Sequence, residues 1–293
     1  MYRALIVILM SLGLVASCAT VDPNLPAMSR LPTGLHDSGR IVWRDLLTTT
    51  PDETRAFYTE LFGWEFERPA SDIGFGQSDT YLLIRHKGRV IGGMFDATTL
   101  QRDVNVSQWI TMMSVADIDA AVASMTEHGG EVLTPPTDVG ERGWLALVTS
   151  PDGALLGLVQ TRDGDPPQVE PRLNEWLWDE LWTDDVTGAT SALESVAGLV
   201  MDTRTVNDAG ATYKILESGG QPRAGLMQMP FDGERPVWVN YIRVEDPAAI
   251  TSRVSELGGR IIVDVQARSV GGRAAMIAGP SGAGVALQTW PLD

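Results

Sequence analysis

Trp43-Arg44-Asp45-Leu46-Leu47-Thr48-Thr49-Thr50 is echoed later in the same chain by Trp178-Asp179-Glu180-Leu181-Trp182-Thr183-Asp184-Asp185. Each phrase leads into a helical stretch and then a glycine, Gly63 in the first copy and Gly198 in the second. Further along, Glu127-His128-Gly129-Gly130 is matched by Glu256-Leu257-Gly258-Gly259, and Pro151-Asp152-Gly153-Ala154 by Pro280-Ser281-Gly282-Ala283. Self-similarity that keeps its order over so long a span is the mark of a duplicated unit. The chain therefore reads as two tandem domains, residues 40–162 and 173–293. Residues 163–172, with three prolines, read as a linker.

Each domain is itself doubled. Ile41 to Leu47 reads as a strand and Pro51 to Phe62 as a helix with proline in its first turn and Gly63 as its C-cap. Short strands follow near Trp64 to Glu67, Thr80 to His86 and Val90 to Phe95. The order then repeats, with a strand at Trp109 to Val115, a helix from Asp117 to His128, and three strands up to Gln160. The second domain offers the same two units, opening at Glu175 and at Val237. Four successive βαβββ units predict an α+β fold.

Phe57-Tyr58 with Leu61-Phe62-Gly63-Trp64, Asp117-Ile118-Asp119-Ala120-Ala121 with Gly129-Gly130, and Pro151-Asp152-Gly153 with Leu158-Val159-Gln160 together resemble the vicinal oxygen chelate superfamily. That superfamily includes glyoxalase I, bleomycin resistance proteins and extradiol dioxygenases. The tandem arrangement is similar to its two-domain glyoxalase-like members. The resemblance implies that each domain is two βαβββ units forming a curled sheet around a cavity. In metal-dependent members a His or Gln in the first strand of each unit and a Glu in its last strand hold a divalent ion in that cavity. The corresponding first-strand positions here are Trp43, Trp109 or its neighbour Ile110, Trp178, and Trp238 or Val239. The last-strand positions are Gly93, Gly157, Gly225 and Ala286. None offers a side-chain donor, so the expectation is no metal and no cofactor.

In place of ligands there are aromatic residues. Strand alternation puts Asp45 on the same face as Trp43, and Glu180 on the same face as Trp178. Trp43, Asp45, Trp109, Trp178, Glu180 and Trp238 are thus the candidate ligand-binding residues, with Asp45 and Glu180 the candidate general bases. Aromatic walls with few convergent polar groups suit a small-molecule site, and equally suit a cavity filled with core. Among the histidines, His128 reads as a helix C-terminal residue, His86 as part of a solvated hairpin turn, and His36 as tether.

The composition narrows the field further. In 293 residues there are 22 Lys and Arg against 38 Asp and Glu, giving a net charge of −16. Nucleic acid is thereby disfavoured, since phosphate binding requires clustered cations. The single cysteine, Cys18, excludes an intramolecular disulfide and ends the run Leu14-Val15-Ala16-Ser17-Cys18. That run follows the basic Arg3 and an apolar stretch too short to span a bilayer, and it resembles the lipobox of bacterial lipoproteins. Residues 1–18 are expected to be a signal peptide, with Cys18 lipidated, and residues 19–39 a flexible tether. The expected location is the cell envelope, lipid-anchored at the periplasmic face of the outer membrane in a Gram-negative cell. Expected partners are a small-molecule ligand, the membrane through the lipid, and each domain for the other. Three functions follow, in order: a metal-free small-molecule binder, an interaction module with filled cups, and a metal-independent lyase or hydroxylase-like enzyme using Asp45 or Glu180.

Overall fold

The computed structural model describes residues 24–69, 80–100, 105–197, 202–208, 211–268 and 271–291. The expected signal peptide, residues 1–18 with Cys18, lies outside them. The first domain runs β1 (Ile41–Thr48), α1 (Pro51–Phe62), β2 (Glu65–Glu67), β3 (Tyr81–His86), β4 (Arg89–Asp96), β5 (Gln108–Ser114), α2 (Ile118–Glu127), β6 (Val132–Asp138), β7 (Gly143–Thr149) and β8 (Leu155–Thr161). The second repeats it with β9 (Trp176–Thr183), α3 (Val186–Val196), β10 (Asp202–Asp208), β11 (Ala211–Ser218), β12 (Gln221–Gln228), β13 (Val237–Arg243), α4 (Pro247–Val254), β14 (Arg260–Ala267), β15 (Arg273–Ala278) and β16 (Gly284–Gln288).

Each domain is one eight-stranded mixed sheet, in the order β2-β3-β4-β1-β5-β8-β7-β6 and β10-β11-β12-β9-β13-β16-β15-β14. The opening strand of a unit lies parallel to its closing strand, and the two units join through the antiparallel pairs β1–β5 and β9–β13. The repeated phrases therefore occupy the middle of each sheet. The helices start where the sequence places acidic caps: Asp117, Asp185 and Asp246 each accept from a backbone N–H of the following turn. Strand β6 runs through Pro135 and Pro136, beyond the expected end at Leu133. It is an edge strand with register shifts on both sides of Thr134, where missing donors cost little.

The sheets pack back to back through their helices. One apolar cluster joins α2 and β7–β8 of the first domain to α3 and β12 of the second, and another joins α1 to β15–β16. At the seam, Trp64 is fully buried, stacked on Tyr58 with ring centroids 4.9 Å apart, and edge-on to Trp109. Trp176 of the second domain closes this box, 4.8 Å from Trp109. Burial of side chains this size contributes about 2 to 3 kcal/mol each, so the aromatic box is a major part of the domain contact. Through the centre of the seam Arg44 reaches Asp179, which also accepts from Asn240 at 2.7 Å, and Asn240 donates in turn to Thr111 at 2.8 Å.

Two connecting segments differ from expectation. Residues 24–39, expected as tether, lie against the first domain. Leu25 and Met28 are buried, Leu25 exchanges backbone hydrogen bonds with Val139 and Arg142, and Thr33, Gly34 and Leu35 bond residues 163–165. Apolar side chains in this segment give it something to bury. The linker is likewise held: Asp165 is fully buried and accepts from Thr161 and from the Asp37 amide, while the Pro166 and Pro171 carbonyls accept from Arg40 and Arg243.

Candidate functional site

The concave face of each sheet holds a cup, and each is built from an equivalent tryptophan, carboxylate and tyrosine with an arginine from the corresponding connection. In cup 1, β1 supplies Trp43 and Asp45, β3 supplies Tyr81, and the turn before β7 supplies Arg142. In cup 2, β9 supplies Trp178 and Glu180, β11 supplies Tyr213, and Arg268 follows β14. A β-bulge precedes the tryptophan in both strands, at Val42 and at Leu177, and rotates Trp43 and Trp178 into the cups.

Asp45 is completely buried, and its Oδ1 accepts from Trp43 Nε1 and from the Tyr81 hydroxyl, both at 2.8 Å. Its Oδ2 faces Arg142 Nη1 at 3.1 Å. The same guanidinium donates through Nη2 to Tyr81 and lies over the Trp43 ring, 4.8 Å from its centroid. Burial opposes charge on Arg142, but Tyr81 and Asp45 more than restore it, and its pKa is raised. The Tyr81 phenol is raised too, chiefly by burial, and stays a donor.

Glu180 stands in the same place on a longer stem. Oε1 accepts from Tyr213 at 2.8 Å, and Oε2 accepts from Tyr241 at 2.6 Å and Trp182 at 3.1 Å. Arg268 Nη1 lies 3.5 Å from Oε1 and donates to Gln288 at 3.0 Å. Burial, then Glu180, push the Tyr213 and Tyr241 phenols well up, so both remain donors.

The cups differ in access. Leu25 and Met28 of the N-terminal segment pack into the apolar lining of cup 1, and Arg142 Nε donates to the Pro26 carbonyl at 3.2 Å. The Arg142 side chain is 0% exposed and Trp43 is 2% exposed. Cup 2 has no such plug among the described residues. Arg268 is 16% exposed, and Trp178, Tyr213, Met227, Met229 and Met276 are half-buried. Phe231, at the rim against Trp182, is exposed.

Four of the six candidate residues are thus brought into the cups, Trp43 with Asp45 and Trp178 with Glu180. Trp109 and Trp238 are not. They point to the opposite face, Trp109 into the aromatic box and Trp238 into the α2–α3 core, while their neighbours Ile110 and Val239 face the cups. Alternation along a strand makes a one-residue choice a choice of face. His86 is buried rather than solvated, with Nδ1 3.3 Å from Glu175, because the second domain covers the β3–β4 hairpin. His128 caps α2, its Nδ1 donating to the Ser124 carbonyl.

The residues that the sequence reading missed are Tyr81, Tyr213, Tyr241, Arg142 and Arg268. One signal was present: Thr80-Tyr81-Leu82-Leu83-Ile84 is echoed by Thr212-Tyr213-Lys214-Ile215-Leu216. They also explain the glycines at two of the last-strand positions. A Cβ on Gly93 would lie 1.9 Å from the Tyr81 hydroxyl and 2.3 Å from Asp45 Oδ1, and one on Gly225 would lie 2.0 Å from the Tyr213 hydroxyl. The space beside those last-strand positions is filled by a tyrosine-carboxylate pair. The donor set does not fit a divalent ion: each cup centre has one carboxylate, engaged by a guanidinium and by two neutral donors in cup 1 or three in cup 2, where such an ion needs several free N or O ligands.

Residues 40–158 match the sequence model of the Glyoxalase/Bleomycin resistance protein/Dioxygenase superfamily. The chain is 29% identical over 241 residues to the putative glyoxylase CFP32 of Mycobacterium tuberculosis, covering 82% of this chain and 91% of that one. It is 27% identical over 261 residues to the anthracycline biosynthesis protein DnrV of Streptomyces peucetius, covering 85% and 92%. In fold it is similar to the Mn(II)-bound glyoxalase from Novosphingobium aromaticivorans, with a TM-score of 0.58 at 16% identity, over 87% of this chain and 83% of that one.

Proposed function

Because residues 40–158 form a domain of the Glyoxalase/Bleomycin resistance protein/Dioxygenase superfamily and β9–β16 repeat its fold, we propose that this protein is an exported, lipid-anchored binder of a small organic molecule. The ligand is held in cup 2 without a metal ion. The observation that carries this reading is the contrast in access: Trp43 and Arg142 are sealed in cup 1, whereas in cup 2 Trp178 and Arg268 are partly exposed above a buried Glu180, beside a wall of Trp178, Trp182 and three methionines. Tryptophan and methionine walls adapt to flat or irregular apolar ligands. The name of one relative, an anthracycline biosynthesis protein, accords with an organic ligand. The anchor rests on the lipobox-like run ending at Cys18.

Cup 1 supports the second reading, a filled structural half. The enzymatic reading has less behind it, since both oxygens of Asp45 and of Glu180 already accept from cup side chains or face a guanidinium.

The test is a small-molecule screen read by tryptophan emission on the chain beginning at residue 24. A hit should give a saturable change that Trp178→Phe or Trp182→Phe diminishes and Trp43→Phe does not. A change lost only with Trp43→Phe, or no hit across a broad aromatic and aliphatic set, overturns the reading. Elemental analysis after dialysis against a chelator should find no bound transition metal; one equivalent retained would refute the metal-free part. A fatty-acid analogue should label the wild type in cells and not Cys18→Ser, and equal labelling ends the anchor proposal.

A further inference from the structure

Cup 1 already contains the equivalent of a ligand. The segment seated in it presents a carbonyl oxygen, that of Pro26, to Arg142 Nε, and flanks it with the apolar side chains of Leu25 and Met28. The charge of the guanidinium is met from below by Asp45, so what it takes from the segment is a neutral acceptor. Arg268, from the corresponding β14–β15 connection, is the arginine beside the carboxylate of cup 2. Its charge is met by Glu180, and its side-chain hydrogen bonds to described residues leave from Nη1. No residue of the linker preceding β9 belongs to the apolar cluster of cup 2. Cup 2, which has no internal plug among the described residues, keeps an arginine that would hold one.

We infer that cup 2 takes a neutral, carbonyl-bearing apolar molecule whose carbonyl oxygen accepts from Arg268 while its body lies against Trp178 and the methionines. This rests on the reading of cup 2 as the ligand site. It adds the chemical class: an anion gains little beside Glu180, a cation meets Arg268, and a plain hydrocarbon leaves the guanidinium donors without an acceptor.

Four naphthalenes of one shape test it: 2-acetylnaphthalene, 2-isopropenylnaphthalene, 2-naphthoate and 2-naphthylmethylammonium. Binding to the chain from residue 24 is followed by NMR of methyl-labelled methionines. The ketone should bind about 10-fold or more tighter than the isopropenyl compound, as expected for a hydrogen bond to a charged donor. Neither ion should exceed the hydrocarbon. The signals of Met227, Met229 and Met276 should move, and those of Met28 and Met112 in cup 1 should not. Arg268→Lys, which keeps a cation beside Glu180, should bring the ratio of ketone to hydrocarbon affinity close to one. Equal binding of ketone and hydrocarbon, or tightest binding by the naphthoate, refutes the carbonyl inference while leaving cup 2 a ligand site. If no compound moves the cup 2 methionines, or if Met28 and Met112 move instead, the site reading falls with it.

Discussion

Cup 1 and cup 2 share a tryptophan, a carboxylate and a tyrosine at equivalent places in equivalent sheets, each with an arginine from the corresponding connection, yet one is sealed and the other partly exposed. The difference lies at the mouth. An Asp45–Arg142 pair with 0% exposure on both sides lives in a dry interior, where the two charges depend on each other and on Trp43 and Tyr81. The Glu180–Arg268 pair is buried at one end only, and Glu180 accepts from Trp182 and Tyr241, where the first domain has Leu47 and Met112, while Trp178 donates instead to the Tyr213 hydroxyl. The same four residue types are fully enclosed in one cup and partly exposed in the other.

The comparison is broken most directly by Arg142→Met. Leaving Asp45 buried without its cation should cost about 3 to 5 kcal/mol, whereas Arg268→Met, at a partly solvated pair, should cost about 1 kcal/mol. Urea denaturation of the two variants beside the parent measures both, and equal losses would mean that the cups are equally dry. Truncating the plug comes next. Leu25→Ala with Met28→Ala should remove about 2 to 4 kcal/mol of burial, read as faster amide exchange at Leu25 and Arg142, while Met227→Ala with Met229→Ala should cost less than about 1 kcal/mol.

Gly93→Ala should destabilise by about 1 to 3 kcal/mol, because the new methyl collides with Tyr81 and Asp45 in a closed space. Gly225→Ala should cost less, since Tyr213 is half-buried and can shift toward the mouth. Unchanged melting temperatures for both would show that neither tyrosine is fixed. The smallest effect is spectroscopic. Tyr58, Tyr81, Tyr213 and Tyr241 are all held above the usual phenol range, burial being the first cause. Their contribution to stability is complete below the unfolded phenol pKa near ~10 and is lost as pH rises from there toward the folded values. Absorbance titration should therefore show no native phenolate at pH ~10, with ionisation arriving together with alkaline unfolding. If one phenol does titrate early, it should be Tyr213 in the more open cup.

The architecture was legible because it is written locally and four times: strand phrase, acidic cap or first-turn proline, helix, glycine. The centre of the cups was legible only in part. Trp43 with Asp45, and Trp178 with Glu180, are two residues apart on one strand, so alternation alone brings them together. Tyr81 and Arg142 reach Asp45 from distant elements, and only the sheet order β3-β4-β1 and the turn before β7 place them there. Trp109 and Trp238 were read onto the cup face because one position along a strand separates the two faces. His86 looked solvated because its neighbours Arg85, Lys87 and Gly88 are turn residues, and the group that buries it, Glu175, comes from the other domain.

One contact at the seam bears on how the two halves select each other. Arg44 and Asp179 occupy the same position in the two copies of the repeated phrase, as do Thr111 and Asn240 in the two β5–β13 partners, and these four meet one another between the sheets. At a two-fold axis between identical subunits such a residue faces its own copy. Arginine on arginine, or aspartate on aspartate, would repel there. With opposite charges at the equivalent positions, each half is matched to the other and mismatched to a copy of itself.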